Sequence, residues 1–237
     1  MLLEVDQLTA GYGPVTILHQ ISLGLSDREI VCIIGPNGAG KSTVLRAVSG
    51  QITPEGGRVI FDGKDMTRDG LCEKAEKGLI FIPQGQNIFP NLTVLDNLMM
   101  GVKGGKVDTS NPNAWTIKKI FEHFPFMSDR TMQKGVLLSG GEQQMLTIGR
   151  TLMGNPKLLM VDEPTEGLSP VMVKEVRDVL AEIGKSGISI LLVEHNLKVA
   201  MSLADRIYLM GKAHLGFTGT IAELDANPEM RAKYLEV

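Results

Sequence analysis

A glycine-rich segment near the N-terminus has the residue types and spacing of a phosphate-binding loop. It follows an apolar run that ends at Ile34 and precedes a helical pattern over 43–49. Glycine lets backbone N–H groups curl around a phosphate, and the start of a helix adds positive potential. Lys41 would reach the β- and γ-phosphates of a nucleotide, and the Ser42 hydroxyl would coordinate Mg²⁺. The sequence therefore predicts nucleotide binding by Gly35, Pro36, Asn37, Gly38, Ala39, Gly40, Lys41, Ser42 and Thr43.

Two carboxylates, Asp162 and Glu163, follow a later apolar run at 158–161. A charge at the end of a buried strand costs free energy unless a cation or hydrogen bonds meet it. Asp162 suits the coordination shell of Mg²⁺, and Glu163 is placed to act as the general base that polarises an attacking water. Taken alone, the pair is also consistent with an acidic beginning of the next segment. The phosphate loop in the same chain favours the catalytic interpretation.

Single polar residues follow two further apolar runs. Gln84 comes after the run at 79–82, and His195 after the run at 188–193. Ligands of α/β proteins bind beyond the carboxyl ends of parallel strands, so His195 is a candidate γ-phosphate contact and Gln84 a candidate sensor of Mg²⁺ or water. Local sequence leaves a helix-capping or solvated His195 equally open. The position of Gln84 after an apolar run is by itself a weak indication of that role.

A second glycine-rich turn lies far along the chain from the first. It reads Leu-Leu-Ser-Gly-Gly-Glu-Gln-Gln over residues 137–144 and opens a predicted helix. Within one chain this turn has no evident chemical purpose. A helix N-terminus is suited to bind phosphate, so Ser139, Gly140 and Gly141 make sense as a surface offered to a nucleotide held by another molecule.

Apolar runs with helical patterns between them dominate the chain. The runs at 29–34, 79–82, 158–161, 188–193 and 206–210 lack polar alternation, which is typical of parallel strands covered on both faces. Short segments at 2–8, 15–25 and 58–62 predict a small antiparallel sheet. Helical patterns over 86–150, with a loose piece at 101–113, indicate an inserted lobe.

We therefore predict a single α/β domain over 1–237. Its P-loop NTPase parallel-sheet core comprises 1–85 and 151–237 and includes an N-terminal antiparallel β subdomain. The inserted α-helical lobe comprises 86–150.

Composition and charge argue against several classes of protein. The 237 residues include 24 Lys+Arg and 27 Asp+Glu, which gives a net charge of −3. The chain therefore lacks the excess of basic residues that is typical of a nucleic-acid binder. Two cysteines, Cys32 and Cys72, do not make a disulfide framework and favour a reducing cytosol. The N-terminus lacks the layout of a signal peptide, and no apolar run approaches the roughly 20 residues that span a bilayer. We expect a protein that is soluble by itself and that works at a membrane only by docking onto a membrane protein.

Taken together and in this order, the motifs resemble the ATP-binding subunit of ABC transporters along essentially the whole chain. The resemblance implies an ATPase that uses ATP and Mg²⁺. It implies that Tyr12 stacks on adenine, that Gln84 couples the Mg²⁺ site to the helical lobe, that Glu163 is the catalytic base and that His195 is a switch residue.

The resemblance also gives the second glycine-rich turn a purpose. It implies that Ser139, Gly140 and Gly141 contact the γ-phosphate of ATP bound by the opposite subunit. Two ATP molecules would then lie between two head-to-tail subunits, which are either two copies of this chain or this chain and a related ATPase.

Finer features are similar to the ATPases of branched-chain (hydrophobic) amino acid importers. These are Asp-Glu-Pro-Thr-Glu-Gly-Leu-Ser-Pro at 162–170 and Ile-Phe-Pro-Asn-Leu-Thr-Val at 88–94. Relatives that serve urea, short amides or aromatic acids share much of this pattern. Many ABC ATPases carry Leu-Asp after the acidic pair where this chain has Leu168 and Ser169, which puts aspartate-mediated communication across a dimer in doubt.

This subfamily resemblance implies several partners. Transmembrane permease subunits would dock around 86–100, from Gln86 to Met100, and a solute-binding protein would act indirectly. Ile88, Phe89, Met99 and Met100 are candidates for that docking groove, and core packing of each is equally open. The implied location is cytoplasmic, peripheral on the inner face of the plasma membrane. A soluble ABC-type ATPase of a non-transport system, such as iron–sulfur assembly, is the alternative function.

Overall fold

A computed structural model describes residues 1–105 and 114–235 of the chain. Residues 106–113, part of the loose piece predicted at 101–113, lie outside the described residues. The strands are β1 (Leu3–Tyr12), β2 (Val15–Leu25), β3 (Ile30–Ile34), β4 (Gly56–Phe61), β5 (Lys64–Asp65), β6 (Leu79–Ile82), β7 (Leu158–Asp162), β8 (Ser189–Glu194), β9 (Arg206–Gly211) and β10 (His214–Gly219).

The helices are α1 (Lys41–Ser49), α2 (Leu71–Glu76), α3 (Val94–Met99), α4 (Ile117–His123), α5 (Pro125–Asp129), α6 (Gly140–Leu152), α7 (Pro170–Lys185), α8 (Leu197–Leu203), α9 (Ile221–Asp225) and α10 (Pro228–Leu235). Within the described ranges, none of these helices is both long and apolar enough to cross a membrane.

The larger sheet orders its strands β10-β9-β3-β8-β7-β6. Strands β9, β3, β8, β7 and β6 run parallel to one another, and β10 pairs antiparallel with β9. The predicted α/β fold with a mainly parallel sheet is therefore confirmed. Because the strands are parallel, the loops that follow β3, β6, β7 and β8 all leave from the same edge of the sheet.

Strand β10 was not predicted from the sequence. Its residues alternate between exposed and half-buried, and it contains two glycines, so no apolar run marks it. The turn into it is formed by Lys212 and Ala213, both with positive φ (48° and 63°). A turn of this kind usually contains Asn or Gly, so the local sequence lacked the ordinary hairpin signal.

The smaller sheet is antiparallel, with the order β2-β1-β4-β5. Strand β1 extends to Tyr12, beyond the predicted 2–8. The extension arises because Tyr12 pairs with Val15 across a two-residue turn in which Gly13 has a φ of 58°. The end of this sheet therefore presents Tyr12 next to the loop that follows β3.

The central strands are buried on both faces. Ile34, Leu159 and Leu192 join a core that includes residues of α6, α7 and α8. Their chain neighbours Ile33 and Leu191 join a second core, with residues of α1 and of the smaller sheet. Burying each such side chain contributes about 1.5–3 kcal/mol, which explains the absence of polar alternation in these strands.

Between residues 86 and 150 the described structure is helical, with α3, α4, α5 and most of α6. Short 3₁₀ turns at Lys103–Gly105 and Gly135–Leu137 interrupt it. Helix α6 runs from Gly140 to Leu152 and so crosses the predicted boundary at 150. The division of the chain into a core and a helical lobe stays a proposal.

Candidate functional site

The glycine-rich loop 35–43 joins β3 to α1 in a conformation that requires its glycines. A Cβ at Gly35 would lie 2.0 Å from the carbonyl oxygen of Met210, and Gly40, which caps α1, has a φ of 102°. Helix α1 has no side-chain cap and no acidic residue in its first turn. Its first N–H groups therefore have no side-chain acceptor of their own, as a phosphate-binding helix terminus requires.

Lys41 folds back across this loop. Its Nζ donates to the carbonyl oxygens of Gly35 at 2.8 Å and Pro36 at 3.1 Å, and it lies 3.5 Å from Oε1 of Glu163. The lysine side chain is 4% exposed. The loop therefore holds the ammonium at the junction between the phosphate loop and the acidic pair.

A cleft of about 410 Å³ lies over the loop. Tyr12 borders it, 44% exposed, and its hydroxyl accepts a hydrogen bond from Nη1 of Arg46 at 3.1 Å. The stacking of Tyr12 on adenine stays a prediction. The residues that line the cleft are Tyr12, Ile17, Asn37, Gly38, Gly40, Lys41, Ser42, Thr43, Gln84, Glu163 and Glu166.

Asp162 ends β7 directly beside the phosphate loop. Its Oδ1 accepts a hydrogen bond from the Ser42 hydroxyl at 2.9 Å, and its Oδ2 is buried with no hydrogen-bond partner. Burial raises the pKa of Asp162, the neighbouring Glu163 carboxylate raises it further, and the Ser42 bond partly offsets both. A buried carboxylate oxygen without a partner, next to a hydroxyl, suits a hard divalent cation such as Mg²⁺.

The replacement Asp162→Asn should remove the effect of Mg²⁺ on the nucleotide-bound protein. With a non-hydrolysable ATP analogue present, excess Mg²⁺ should raise the Tm of the parent by about 2–4 °C for each kcal/mol of added binding. The variant should lose most of that rise. The parent's rise should also shrink on acidification, because protons compete with the metal for the Asp162 carboxylate, whose pKa is raised by burial.

The control for this experiment is Asp178→Asn on α7, an exposed carboxylate outside the cleft. Thermal unfolding with and without Mg²⁺ is the measurement. An equal Mg²⁺-induced rise in the parent and in Asp162→Asn would remove Asp162 from the metal site.

Glu163 lies where four loops meet. Its backbone has a φ of 45°, a left-handed conformation that is unfavourable for a non-glycine residue and that clusters at functional sites. Its Oε2 accepts a hydrogen bond from Nε2 of Gln84 at 3.4 Å and lies 3.8 Å from Nδ1 of His195. With Lys41 on Oε1, the structure brings together all four residues predicted to be catalytic: Lys41, Gln84, Glu163 and His195.

Two acidic residues of this region were missed from the sequence. Glu166 lines the cleft and accepts a hydrogen bond from Gln84, and Glu194 is a fully buried carboxylate directly before His195. Their positions in the loops after β7 and at the end of β8 were the available signals. The sequence analysis assigned roles to their neighbours Glu163 and His195 and none to Glu166 or Glu194.

The second glycine-rich turn is not part of this cleft. Ser139 caps α6: its Oγ accepts from the Glu142 amide at 3.3 Å, and its own amide donates to Oε2 of Glu142 at 2.8 Å. Ser139 and Gly140 are exposed, whereas Gly141 packs so closely on Met172 that a Cβ would lie 2.3 Å from the methionine methyl. The capped start of α6 therefore faces solvent at Ser139 and Gly140.

Comparison with known proteins gives consistent matches. A family model described as "ABC transporter" matches residues 18–166. The chain is 36% identical over 234 residues to the "High-affinity branched-chain amino acid transport ATP-binding protein BraG" of Pseudomonas aeruginosa, with 99% of both chains covered. It is 30% identical over 234 residues to the "Lipopolysaccharide export system ATP-binding protein LptB" of Haemophilus influenzae, with 99% of this chain and 97% of that one covered. A solved nucleotide-free ATP-binding cassette from an ABC transporter superposes with a TM-score of 0.84 at 27% identity, covering 99% and 97% of the two chains.

Proposed function

Because this chain belongs to the ABC transporter family of ATP-hydrolysing subunits, we propose that it couples ATP hydrolysis to the import of branched-chain or related amino acids. The similarity to BraG supports this most, since it extends over 99% of both chains at 36% identity. It therefore includes the segments 88–94 and 162–170, in which the sequence itself resembles such importers.

Lipopolysaccharide export is the second candidate function, favoured by the match to LptB at nearly the same coverage. Its lower identity, 30% against 36%, puts it second. Import of urea, short amides or aromatic acids, and a non-transport role such as iron–sulfur assembly, are the remaining alternatives.

The proposed hydrolytic step assigns a role to each group around the cleft. Lys41 and the first N–H groups of α1 bind the β- and γ-phosphates. Glu163 accepts the proton of a water whose oxygen attacks the γ-phosphorus, and the bond to the β-phosphate oxygen breaks to leave ADP and phosphate. His195 and Gln84 hold Glu163 and the γ-phosphate in position. Ser42 and Asp162 would hold Mg²⁺, which supplies charge neutralisation at the phosphates.

The proposed partners bind on two different surfaces. Ser139 and Gly140 are exposed, so a second ATPase subunit can receive this turn over its own nucleotide. In the segment 86–100, Phe89, Met99 and Met100 are 44%, 42% and 60% exposed, which suits a permease-docking surface on the inner face of a membrane. Ile88 is instead half-buried and packs against the core. A solute-binding protein would act through the permease.

The test is co-expression with the permease pair of a branched-chain amino acid importer, followed by membrane fractionation and by leucine uptake in proteoliposomes supplied with the solute-binding protein of that importer. The parent should co-purify with the permease, and uptake should require ATP. Met99→Asp should abolish co-purification, because it places a charge in the proposed docking surface. Leu71→Asp on α2 alters a residue of comparable exposure (39% against 42%) elsewhere on the surface and should not abolish it.

The outcomes separate the candidate functions. Association with the permease without ATP-dependent leucine uptake would exclude leucine as a solute. No association with this permease pair would contradict the proposed importer role. Equal effects of Met99→Asp and Leu71→Asp would remove the segment 86–100 from the interface.

A further inference from the structure

Glu194 is a carboxylate with no contact to solvent. It ends β8, directly before His195, and is 0% exposed. A buried carboxylate is costly unless every oxygen is hydrogen-bonded. Glu194 meets that condition: Oε1 accepts the backbone N–H groups of His195 at 2.9 Å and Asn196 at 3.0 Å, and Oε2 accepts the Thr165 hydroxyl at 2.8 Å.

The three donors belong to two different loops. His195 and Asn196 begin the loop after β8, whereas Thr165 lies in the loop after β7, two residues beyond Glu163. Thr165 is itself buried, at 5% exposure. One side chain therefore ties together the loop that carries the predicted base and the loop that carries the predicted switch histidine.

The end of the sheet explains why such a tie is needed. Strands β7 and β8 pair in parallel up to Asp162 and Val193, and the Glu163 amide still donates to the Val193 carbonyl at 2.9 Å. Beyond that bond the regular ladder stops. Beyond it, the Thr165 hydroxyl and the Glu194 carboxylate form a further hydrogen bond between the two chain segments. Its two residues lie close in sequence to Glu163 and His195, whose Oε2 and Nδ1 atoms are 3.8 Å apart.

We propose that Glu194 is a positioning residue for ATP hydrolysis: its carboxylate holds the loops after β7 and β8 together and so sets the separation between Glu163 and His195. We call its hydrogen bonds with Thr165, His195 and Asn196 the bracket. Glu194 does not line the cleft and is fully buried, so the proposed role is indirect. Its effect is on the catalytic rate and not on nucleotide binding. The proposal rests on the roles proposed above for Glu163 and His195.

The hydroxyl of Thr165 offers the cleanest test, because Val has nearly the shape of Thr and lacks the donor. Thr165→Val should lower kcat by about tenfold or more, since it removes a hydrogen bond to a charged group in the bracket. The KM for ATP should stay within about twofold of the parent. Thr165→Ser keeps the hydroxyl and should retain most of kcat. Steady-state ATPase kinetics over a range of ATP concentrations give both constants.

Thr147→Val on α6 is the matched control. Thr147 is similarly buried (2% exposed), and its hydroxyl donates to the Gln143 carbonyl within its own helix. This variant should leave kcat and KM unchanged. A loss of kcat in Thr165→Val that is restored in Thr165→Ser and absent in Thr147→Val supports the bracket.

A second replacement separates geometry from charge. In Glu194→Gln, the side-chain oxygen can accept from both amides, and the NH₂ can donate to the Thr165 hydroxyl, which also accepts hydrogen bonds. It should therefore retain more kcat than Thr165→Val. Equal kcat in Thr165→Val and Thr165→Ser would overturn the proposal, as would a loss in Thr165→Val that lies wholly in KM. If Glu163→Gln proves fully active, the assigned base is wrong. A kcat loss in Thr165→Val that is absent in Thr165→Ser and Thr147→Val would still show that the bracket controls the reaction.

Discussion

Glu163→Gln is expected to lower kcat for ATP hydrolysis by about 10²-fold or more and to trap an ATP-bound dimer. Glutamine keeps the size of the side chain but cannot accept a proton from the attacking water, and general-base catalysis contributes roughly 10²–10⁴-fold. It also removes the negative charge that lies 3.5 Å from Nζ of Lys41 and that would face the γ-phosphate. Nucleotide binding should therefore persist while turnover stops.

Two measurements check this result. Steady-state ATPase assays give kcat, and size-exclusion chromatography with light scattering in ATP reports the trapped dimer. Glu175→Gln, an exposed carboxylate of α7 outside the cleft, is the charge-matched control and should behave as the parent. Hydrolysis by Glu163→Gln at the parent rate would show that another group is the base.

Mixing two inactive variants is expected to restore activity if the second glycine-rich turn completes the site of a partner. Lys41→Ala should weaken nucleotide binding because it removes the ammonium that the loop holds at the phosphate position. Ser139→Asp should keep the cap of α6, since Asp is as good a cap as Ser, but should repel the γ-phosphate of the partner's nucleotide. Each variant alone should be inactive as a homodimer.

A mixed dimer holds one intact composite site, formed by Lys41 of the Ser139 variant and Ser139 of the Lys41 variant. Random pairing should therefore recover roughly a quarter of the parent activity, because half of the dimers are mixed and each has one of two sites. Differently tagged chains allow the mixed dimer to be isolated and its turnover measured. If isolated mixed dimers fail to hydrolyse ATP although one site per dimer suffices in a parent–variant pair, the turn does not act across the dimer.

The phosphate loop could be predicted from the sequence because its conformation depends on residues that are adjacent in the chain. Gly35 and Gly40 are dictated by a close backbone approach and a positive φ, and the strand and helix on either side follow from adjacent residues. The central strands could also be predicted from a local pattern. Burial on both faces leaves an unbroken apolar run, whereas the half-exposed β10 with its Lys-Ala turn leaves none.

Ser139 lies at the helix start that the sequence predicts, but its proposed contact with a nucleotide is not seen in a single chain. The sequence places it at a helix start, and the structure gives it a cap with Glu142 at that point. Its proposed ligand belongs to a second molecule, so one chain cannot display the contact. The predicted roles of Tyr12, Gln84 and His195 stay predictions in the same way, although Gln84 and His195 both contact the Glu163 carboxylate.

By itself, the sequence determined the class of fold, the phosphate loop and the identity of the residues that end the central strands. Each of these depends on residues close together in the chain. Only the tertiary structure decided which of those residues meet. The order β3-β8-β7-β6 places the loops after β3, β8, β7 and β6 side by side, so that Ser42 reaches Asp162 and His195 reaches Glu163. Strand order depends on packing between distant segments, and the bracket formed by Glu194 and Thr165 exists only because β7 and β8 are neighbours in that order.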